Sequence, residues 1–405
     1  MTRRTIHRGA VAAVAALALC WSARAQEARA SFPFDDGPDG FTAIAVQSTQ
    51  VAPDANASVS ITREAGDFKA GSGALVYRYQ IQPGPIAALY ADARIPGDSR
   101  SLRFWLRTDR ATVFLVSLRE QDGSSYQLSF VIAANQWTEV KANLSECILE
   151  QGGKDENGTL DAAQVQAVGL LDLASVLVNG PDAVKQLVPN LQGKRALWLD
   201  DLTFSPERVP QATGLIEEGG RRSLLVDNFE TGLVRWTPVR VVFTATPPSF
   251  GLFPENTTVE VRTEAAGPGM ARTPLEPGGK GLRVTYSRAA GEAYALNRDL
   301  EGYDLSGATR LQMSLNCSRK SLLILQVKER DESEYQVTIQ PENSVGWQTH
   351  SLPFADFKLG DNSKDENDRL DPGQIKEITL LDGSAFAGLE AGETVLELDA
   401  VSIAY

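Results

Sequence analysis

The sequence contains few of the residues that most often perform catalysis or bind transition metals. It has 2 histidines and 3 cysteines among 405 residues, and His7 and Cys20 lie close to its start. The remaining histidine, His350, cannot supply a Ser-His-Asp or Cys-His arrangement to both halves of the chain. Walker and dinucleotide-binding glycine motifs are also missing. We therefore expect that the protein is not an enzyme, although an acidic chain always offers carboxylate pairs of the kind that glycosidases use.

Long apolar runs are missing after residue 25, since none approaches the ~18 residues that a transmembrane helix needs. Before that point, a basic start at 3–8 precedes an apolar run at 9–21, and Ala-Arg-Ala at 23–25 fits a cleavage site. This pattern predicts a signal peptide at 1–25, no membrane span, and an exported protein that is periplasmic or extracellular. Lipid attachment at Cys20 is the alternative, although the leucine before it is larger than the usual residue of a lipid-attachment box.

Basic residues are in the minority: 39 Lys and Arg stand against 52 Asp and Glu, which gives a formal charge of −13 at pH 7. The predicted signal peptide holds four arginines and no acid, so its removal makes the chain more acidic. Such a chain is repelled by nucleic acids and by anionic membrane surfaces. We expect neither as a partner, whereas the excess of carboxylates is compatible with calcium.

What the chain does contain is an internal repeat. Residues 154–161 read KDENGTLD and residues 364–371 read KDENDRLD; each is called the octet of its half. A repeat has to be settled before any fold is assigned, because it defines the structural unit. Other segments match in the same order: 34–37 with 229–232, 70–80 with 277–287, 102–109 with 311–318, 116–130 with 325–339, and 196–204 with 395–403. The repeat predicts domains at 31–204 and 224–405, joined by a linker at 205–223.

Within each half, apolar residues alternate with polar ones, as they do in half-buried β-strands. Leu102, Phe104 and Leu106, for example, are separated by single residues of the opposite face. Turn residues interrupt this pattern at intervals of roughly ten residues, which is typical of an antiparallel sandwich. The predicted fold class is all-β, with two tandem jelly-roll β-sandwich domains that contain short helical turns and follow the signal peptide.

Four motifs taken together resemble a known family. They are a Phe-acid-x-Gly start with a later aromatic residue (34–41), the strand GALVYRYQ, the strand that begins at Trp137, and the closing strand ALWLDDLTF. The combination is similar to the galactose-binding-like jelly rolls, which include many carbohydrate-binding modules and the domain of complex I intermediate-associated protein 30. The resemblance covers nearly all of both halves and implies binding of a polysaccharide or glycan. Its motifs are specific for the fold and weak for function, because such sandwiches host many binding roles.

The resemblance also implies calcium. In several carbohydrate-binding members, an acid of the first strand and an Asp of the last strand share a structural calcium ion. The corresponding residues here are Asp35 with Asp200 in the first half, and Glu230 with Asp399 in the second. First and last strands lie side by side in this fold, and Ca²⁺ takes roughly six to eight oxygen ligands. The alternative is that these acids end strands and face solvent.

The octet resembles a calcium loop only in part. An EF-hand loop needs Gly at its sixth position and Glu at its twelfth, where the first half has Leu160 and Gln166. Asp161 with Gln164 fits the start of a short helix instead, because an N-cap acid followed by Gln is close to a capping box. Asp371 repeats the pattern in the second half. We expect a helix start, with a metal or ligand loop as the alternative.

A sugar-binding surface needs an aromatic face and hydrogen-bonding groups in a partly dry cleft. On the strand at 102–109, the face opposite the core carries Trp105 and Arg107, and we expect neighbouring strands to add Arg119 and Gln127 to this face. The second half offers polar groups but no aromatic residue at matching places: Asn316, Lys328 and Gln336. The alternative for Trp105 is burial under a loop or under the linker.

The sequence therefore predicts an exported, non-catalytic protein that binds carbohydrate through tandem modules, with calcium stabilising each sandwich. Its runner-up is a periplasmic or surface adaptor that binds another extracytoplasmic protein through its β-sandwich faces. An exposed apolar patch favours the adaptor. An open groove that carries Trp105 and Arg107 favours carbohydrate binding.

Overall fold

The computed structural model describes residues 28–405 except 48–49, 151–152, 181–190, 210–212, 219, 232–234, 244–248, 253–256, 263–278 and 342–345. The chain forms two compact units, Met1–Pro210 (unit 1) and Gln211–Tyr405 (unit 2). The predicted signal peptide and Cys20 lie outside the described residues. Within the described part of the chain, no helix has the length and apolar character needed to cross a membrane.

Unit 1 is built from short β-strands that pair antiparallel with their neighbours. In chain order they are β1 (Ser31–Phe32), β2 (Thr42–Gln47), β3 (Gln50–Pro53), β4 (Ser58–Thr62), β5 (Ala74–Ile81), β6 (Ile86–Asp92), β7 (Ser101–Thr108), β8 (Thr112–Glu120), β9 (Ser125–Ile132), β10 (Thr138–Asn143), β11 (Ile148–Leu149), β12 (Val165–Asp172) and β13 (Gly193–Ser205). A short helix, α1 (Leu173–Leu177), follows β12, and 3₁₀ turns lie at Leu144–Glu146 and Ala162–Gln164.

Two sheets enclose the core of unit 1. Sheet 1 has the order β10-β7-β13-β5-β4, with β1 also on β13, and sheet 2 has the order β11-β9-β8-β12-β6-β2-β3. Phe104 of sheet 1 meets Phe130 of sheet 2 with their ring centroids 5.3 Å apart. Leu102, Phe104 and Leu106 are fully buried, so the predicted core face of β7 is confirmed.

Unit 2 repeats this plan. Its strands are β14 (Gly214–Glu218), β15 (Arg221–Asp227), β16 (Trp236–Val242), β17 (Ser249–Leu252), β18 (Thr257–Arg262), β19 (Gly281–Arg288), β20 (Glu292–Asp299), β21 (Arg310–Cys317), β22 (Leu323–Glu329), β23 (Glu334–Ile339), β24 (Gln348–Pro353), β25 (Lys358–Leu359), β26 (Ile375–Asp382) and β27 (Gly392–Ala404), with 3₁₀ turns at Phe354–Asp356 and Pro372–Gln374. Sheet 3 has the order β14-β15-β27-β19-β18, with β21 on β27 and β24 on β21. Sheet 4 has the order β17-β16-β20-β26-β22-β23-β25.

This architecture confirms the predicted fold class, an all-β chain of two jelly-roll sandwiches with short helical turns. In unit 1 the first strand, β1, pairs with the last strand, β13, and in unit 2 the second strand, β15, pairs with the last strand, β27. The repeat in the sequence is therefore a repeat of whole sandwiches, and β20, β21, β22, β23 and β26 of unit 2 correspond to β6, β7, β8, β9 and β12 of unit 1.

The octets lead into short helical turns, as predicted. In unit 1, the N–H of Ala163 and the side-chain amide of Gln164 donate to the carboxylate of Asp161 at 3.0 and 3.1 Å. In unit 2, Pro372 begins the turn, and among the described contacts Asp371 makes no side-chain cap. The helix start is confirmed in both units, with a side-chain cap in unit 1 alone.

The segment between the units is shorter than the predicted linker at 205–223. The N–H of Val209 donates to the side chain of Asn143 in unit 1 at 2.9 Å. Beyond the boundary, β14 and β15 pair as a hairpin, so residues 214–218 and 221–223 belong to unit 2. Polar, glycine-containing sequence fits a hairpin as well as it fits a linker, which explains the difference.

Candidate functional site

The residues predicted to share one binding face lie on two different sheets. Trp105 and Arg107 are on β7 in sheet 1, whereas Arg119 is on β8 and Gln127 is on β9 in sheet 2. The chain crosses from one sheet to the other between β7 and β8, so these consecutive strands do not pair. The prediction of one four-residue platform is therefore wrong.

Trp105 and Arg107 face outward from sheet 1, beneath the loop that joins β4 to β5 (the β4–β5 loop). Lys69 Nζ lies 5.4 Å from the ring centroid of Trp105, a cation–π distance. The guanidinium carbon of Arg107 lies 4.2 Å from the ring centroid of Trp198, and its Nη2 pairs with Asp67 Oδ1 at 2.5 Å. Both residues hold this loop in place, which agrees with the alternative prediction for Trp105.

The β4–β5 loop also contacts Asp35 and Asp200. The N–H groups of Lys69 and Ala70 donate to Asp200 Oδ2 at 2.6 and 2.8 Å, and Ser72 Oγ donates to Asp35 Oδ1 at 3.1 Å. Asp200 is fully buried, and burial raises the pKa of its carboxyl group. Its other oxygen, Oδ1, has no hydrogen-bond partner within the described residues. Because such an atom is costly to leave unsatisfied, this position fits a bound cation.

Gly71 explains why the loop can approach Asp35 so closely. Its φ is +57°, a value that favours glycine, and a Cβ atom there would overlap the carboxylate of Asp35. The backbone N–H and the hydroxyl of Ser72 both donate to Asp35 and lower the pKa of its carboxyl group. Asp35 is therefore ionised and held against a turn of backbone, as an oxygen ligand of calcium has to be.

Glu230 and Asp399 occupy the corresponding places in unit 2. The N–H of Lys280 donates to Glu230 Oε1 at 2.7 Å, and its ammonium group donates to the Glu230 carbonyl at 3.2 Å. Asp399 is fully buried, and the N–H of Ala400 donates to its Oδ1 at 2.6 Å. A lysine ammonium beside Glu230 repels a second cation, so this pair fits calcium less well than Asp35 and Asp200 do.

A groove crosses the outer face of sheet 2. In the strand register, Tyr90 lies opposite Gly169, Gly169 opposite Ser117, and Ser117 opposite Gln127. Directly opposed residues of antiparallel strands share a face, so these side chains form one row. A second, parallel row contains Glu150, Ser125, Arg119, Ala167 and Asp92. Six members of these rows line the groove, an open depression over β6, β12 and β8: Tyr90, Ser117, Arg119, Ser125, Ala167 and Gly169.

The floor of the groove is made of small residues. A Cβ atom on Gly169 would make ordinary van der Waals contacts at 3.8 Å with Leu89 and Ser117, so this position has room for a side chain that the glycine does not fill. Tyr90 stands at one side, and its hydroxyl donates to Asp92 Oδ1 at 2.9 Å. Burial raises the pKa of Tyr90, which therefore remains a neutral hydrogen-bonding group.

Helix α1 determines where the groove ends. Val176 of this helix is fully buried in an apolar cluster with outward-facing side chains of β2, β6, β8 and β12. Those members are Ile44, Val46, Ile86, Ala88, Leu115 and Leu171. The helix covers the apolar rows of sheet 2 and leaves the more polar rows open.

Buried polar groups lie at the β11 edge of this face. Ser125 and Glu150 are 3% and 8% exposed. Among the described residues, Ser125 Oγ, Gln127 Nε2 and Glu150 Oε1 have no hydrogen-bond partner. Burial raises the pKa of Glu150 to about 7, although the charge of Arg119 opposes this shift. Buried polar atoms are normally paired, so these three atoms reduce the stability of this edge of sheet 2.

The matching face of unit 2 is filled by side chains. Thr379 stands where unit 1 has Gly169, and its hydroxyl donates to Asn297, the counterpart of Tyr90, at 3.1 Å. The predicted residue Gln336 accepts a 3.2 Å hydrogen bond from Gln326. The predicted Lys328 forms a 2.8 Å ion pair with Glu332. No aromatic side chain lies in this described row.

Asn316, the third residue predicted for unit 2, lies apart from the other two. It is on β21 in sheet 3, while Lys328 and Gln336 are on sheet 4. Its amide donates to Glu397 Oε2 at 2.6 Å, and Glu397 also accepts from Arg283 at 2.6 Å. Asn316 is thus part of a polar network on sheet 3.

Each unit also contains a compact group of three acids whose carboxylate oxygens lie within 4.8 Å of one another. The groups are Glu120, Asp122 and Asp155 in unit 1, and Glu329, Asp331 and Asp365 in unit 2. The first octet supplies Asp155, and Glu120 accepts hydrogen bonds from Ser124 Oγ at 2.7 Å and from the N–H of Asp161. These donors offset part of the repulsion between the acids, although three such carboxylates can also hold a hard cation.

Sequence reasoning missed Tyr90, Gly169 and Ser125. The alternation in β6 puts Tyr90 and Asp92 on one face, which was a usable signal. No local pattern shows that Gly169 lies two strands from Gln127, because strand order is a property of the tertiary fold.

A sequence profile of the family described as Complex I intermediate-associated protein 30 (CIA30) matches residues 85–180. This stretch runs from β6 past α1 and contains the residues that line the groove. The match confirms the predicted resemblance to the galactose-binding-like group over part of the chain. Curated protein sequences give no match.

Solved structures similar to this chain include carbohydrate-binding modules. The family 11 module of the cellulosomal cellulase Lic26A-Cel5E of Clostridium thermocellum is 17% identical, and the match covers 45% of this chain and 93% of that chain with a TM-score of 0.31. The tandem CBM22-1–CBM22-2 domains of Paenibacillus barcinonensis Xyn10C are 12% identical, and the match covers 95% of this chain and 99% of that chain with a TM-score of 0.28.

Proposed function

We propose that this protein is exported to the periplasm or the extracellular space and binds a polysaccharide or glycan without transforming it. The groove of unit 1 supports this proposal. It joins an aromatic side chain, Tyr90, to the hydrogen-bonding side chains of Ser117, Arg119 and Ser125. A sugar offers an apolar C–H face to the tyrosine ring and hydroxyl groups to the hydrogen-bonding side chains.

The groove crosses several strands, a path that suits a chain of sugars. It runs from Ser125 on β9 to Tyr90 on β6, which spans three strand spacings of ~4.8 Å each. Gly169 and Ala167 keep the middle of this path free of large side chains. The binding site we propose therefore consists of Tyr90, Ser117, Arg119 and Ser125, with Gln127 beside it opposite Ser117, and it retains two of the residues predicted from sequence.

We further propose that a calcium ion stabilises unit 1 at Asp35 and Asp200. The unpartnered, fully buried Oδ1 of Asp200 supports this assignment. The ion would tie the β4–β5 loop to the first and last strands, and it takes no part in carbohydrate binding on the other sheet. A second ion at Glu230 and Asp399 is a weaker proposal, because Lys280 lies beside Glu230.

A matched pair of substitutions tests the groove. Gly169→Thr places in unit 1 the residue that fills the same position in unit 2, and Thr379→Gly is the reciprocal control. Wild type and both variants are applied to a glycan array and to affinity gels that contain mixed-linkage β-glucan, xylan or galactan. We expect Gly169→Thr to lose retention and Thr379→Gly to keep it. Retention of no glycan by the wild type would refute the proposed function.

An adaptor that binds another protein is the second candidate, and the match to a family named for its association with complex I intermediates favours it. Co-purification of a defined protein partner that Gly169→Thr leaves intact, together with an empty glycan array, would support the adaptor. A glycan that competes for the groove would support the carbohydrate-binding function.

A further inference from the structure

The octet of unit 1 contains the dipeptide Asn157-Gly158, and the fold places both residues in an exposed turn. Gly158 has a φ of +66°, and a Cβ atom on it would meet no described atom within 4 Å. Because glycine has no side chain, nothing on this residue shields its backbone nitrogen. That nitrogen is close enough along the chain to reach the side-chain carbonyl carbon of Asn157, Cγ, and to close a five-membered ring.

Two donors polarise the side-chain carbonyl group of Asn157. The backbone N–H and the hydroxyl group of Thr159 donate to Asn157 Oδ1 at 2.7 and 2.8 Å. When a nucleophile attacks an amide carbon, negative charge develops on the amide oxygen, and donors that already point at this oxygen lower the barrier. The octet therefore places donors where an attack on Asn157 Cγ needs them.

The carboxylate of Asp155 lies beside the same turn. The pKa of Asp155 is lowered first by the hydrogen bond from the hydroxyl of Tyr126 and then by backbone N–H groups, of which that of Gly158 has the largest effect. Asp155 is therefore ionised and lies within hydrogen-bonding reach of the Gly158 N–H. A carboxylate in this position can accept the proton that the nitrogen loses as it attacks.

The octet of unit 2 has a similar backbone but is less suited to this reaction. Its dipeptide is Asn367-Asp368, and Asp368 has a φ of +53°. Asn367 Oδ1 accepts from the N–H of Arg369 at 2.7 Å, and arginine has no hydroxyl group to add a second donor. Asn367 Nδ2 donates to Asp371 Oδ2 at 2.9 Å, which holds the nitrogen that would have to leave. The second octet is thus an internal comparison for the first.

We propose that Asn157 is a site of spontaneous deamidation, promoted by the contacts of the octet. The nitrogen of Gly158 forms a bond to Cγ of Asn157, the bond from Cγ to Nδ2 breaks, and Nδ2 leaves as ammonia with the proton from Gly158. The product is a cyclic imide. Water then opens this ring and leaves either aspartate or isoaspartate at position 157, each with a new carboxylate.

This modification adds a negative charge to a turn that is already acidic. Asp155 lies with Glu120 and Asp122 in the group whose carboxylate oxygens are within 4.8 Å of one another, and a further like charge nearby increases the repulsion. Aspartate at position 157 keeps an acceptor for Thr159. Isoaspartate lengthens the backbone by one carbon, so we expect it to displace Asp155 from Tyr126 and to destabilise unit 1.

Peptide mass spectrometry of the full-length protein tests this inference. Wild type is incubated at neutral and at mildly alkaline pH, and the conversion of Asn157 and of Asn367 to the acid is followed over time. We expect Asn157 to react roughly tenfold faster than Asn367. Both rates should rise with pH, because the attacking nitrogen has to lose its proton.

Three variants separate the contributions to the rate. Gly158→Asp gives unit 1 the residue found in unit 2, and it should slow the reaction of Asn157 toward the rate of Asn367. Asp368→Gly is the reciprocal change, and it should leave Asn367 slower than Asn157 because the hydroxyl donor is still missing. Thr159→Val keeps the backbone donor and removes the hydroxyl group, so Asn157 should react several-fold more slowly.

The wild type alone can overturn the inference. If Asn157 stays unmodified, or reacts no faster than Asn367, the octet of unit 1 is not a deamidation site. An unchanged rate in Thr159→Val would overturn the part assigned to the contacts of the octet. Labelling by an isoaspartyl methyltransferase identifies the isoaspartate product, and none of these measurements depends on carbohydrate binding.

Discussion

The hydroxyl of Tyr126 donates a 2.5 Å hydrogen bond to Asp155, the first acid of the octet in unit 1. Tyr335 makes the same 2.5 Å bond to Asp365 in unit 2. Both tyrosines are 1% exposed. Tyr126 lies on β9 and Tyr335 lies on β23, each on the strand after the turn that carries Asp122 or Asp331. The octets are thus fixed to their sandwiches by one shared contact, which gives the repeated acidic segment a structural role.

Removal of this contact should destabilise each unit on its own. The hydrogen bond from tyrosine is the largest cause of the lowered pKa of Asp155 and of Asp365. We expect Tyr126→Phe and Tyr335→Phe each to lower the melting temperature of the substituted unit by roughly 2–4 °C. Differential scanning calorimetry measures this, and nuclear magnetic resonance titration should show the pKa of the freed aspartate rising. A melting profile identical to the wild type would contradict the structural role of the octet.

Calcium binding at Asp35 and Asp200 predicts a response to chelation. EDTA should lower the melting temperature of the wild type by on the order of 5 °C, because an ion that binds only the folded state stabilises it. Asp200→Asn should melt at the lower temperature with or without calcium. Asp122→Asn is the matched control. It alters the three-acid group of Glu120, Asp122 and Asp155 and should keep the calcium response. If Asp122→Asn alone loses the response to EDTA, the calcium ion binds at that three-acid group and not at Asp35 and Asp200.

Trp105 should contribute to stability and not to carbohydrate binding. Trp105→Ala removes the ring beneath Lys69 and loosens the β4–β5 loop, which we expect to destabilise unit 1 by about 1–3 kcal/mol. Retention in affinity gels should equal that of the wild type, because the groove is on the other sheet. Chemical denaturation measures the stability, and the same affinity gels measure retention. If Trp105→Ala is folded but is not retained, Trp105 belongs to the binding site.

Asp227 should make unit 2 less stable as pH rises from about 4 to about 6. Burial raises the pKa of Asp227 from 3.8 to about 6, although Arg298 opposes this. In this range the unfolded chain releases its proton while the folded unit keeps one, so the free energy of unfolding falls with pH and is constant above about 6. The size of the effect is about 3 kcal/mol.

Asp227→Asn isolates this contribution because it cannot titrate. The difference in unfolding free energy between wild type and Asp227→Asn, measured by denaturant titration, should change by about 3 kcal/mol between pH ~3 and pH ~7. Unit 1 has Phe32 at this position, packed edge-on against Phe41 with centroids 5.5 Å apart, and serves as an internal control. A difference that is constant with pH would show that Asp227 is ionised at all these values.

Much of the fold was predictable because it follows from local periodicity. Alternation identified the core face of β7 correctly, since a strand places every second side chain on one side. The same alternation identified Gln127 as an outward-facing residue. It could not show that β7 and β9 belong to different sheets, because alternation is identical in either sheet.

The proximity of Asp35 and Asp200 was predictable to a similar degree. The pairing of first and last strands brought Asp35 and Asp200 to the same end of the sandwich, as the resemblance implied. The backbone donors of Lys69 and Ala70 could not be predicted, because a loop's path depends on what it packs against. That path also explains why Trp105 and Arg107, which look like binding residues in the sequence, are used to hold the loop.

The all-β class, the two repeated sandwiches and the inward or outward direction of individual side chains follow from the sequence alone. These properties depend on spacing along one strand or on similarity between two segments. Only the folded chain shows which strands are neighbours, and therefore that Tyr90, Gly169 and Gln127 lie in one row while Trp105 lies on the opposite sheet. A binding surface on a sheet runs across its strands, and the order of strands is fixed by the packing of the whole core, which no single stretch of sequence contains.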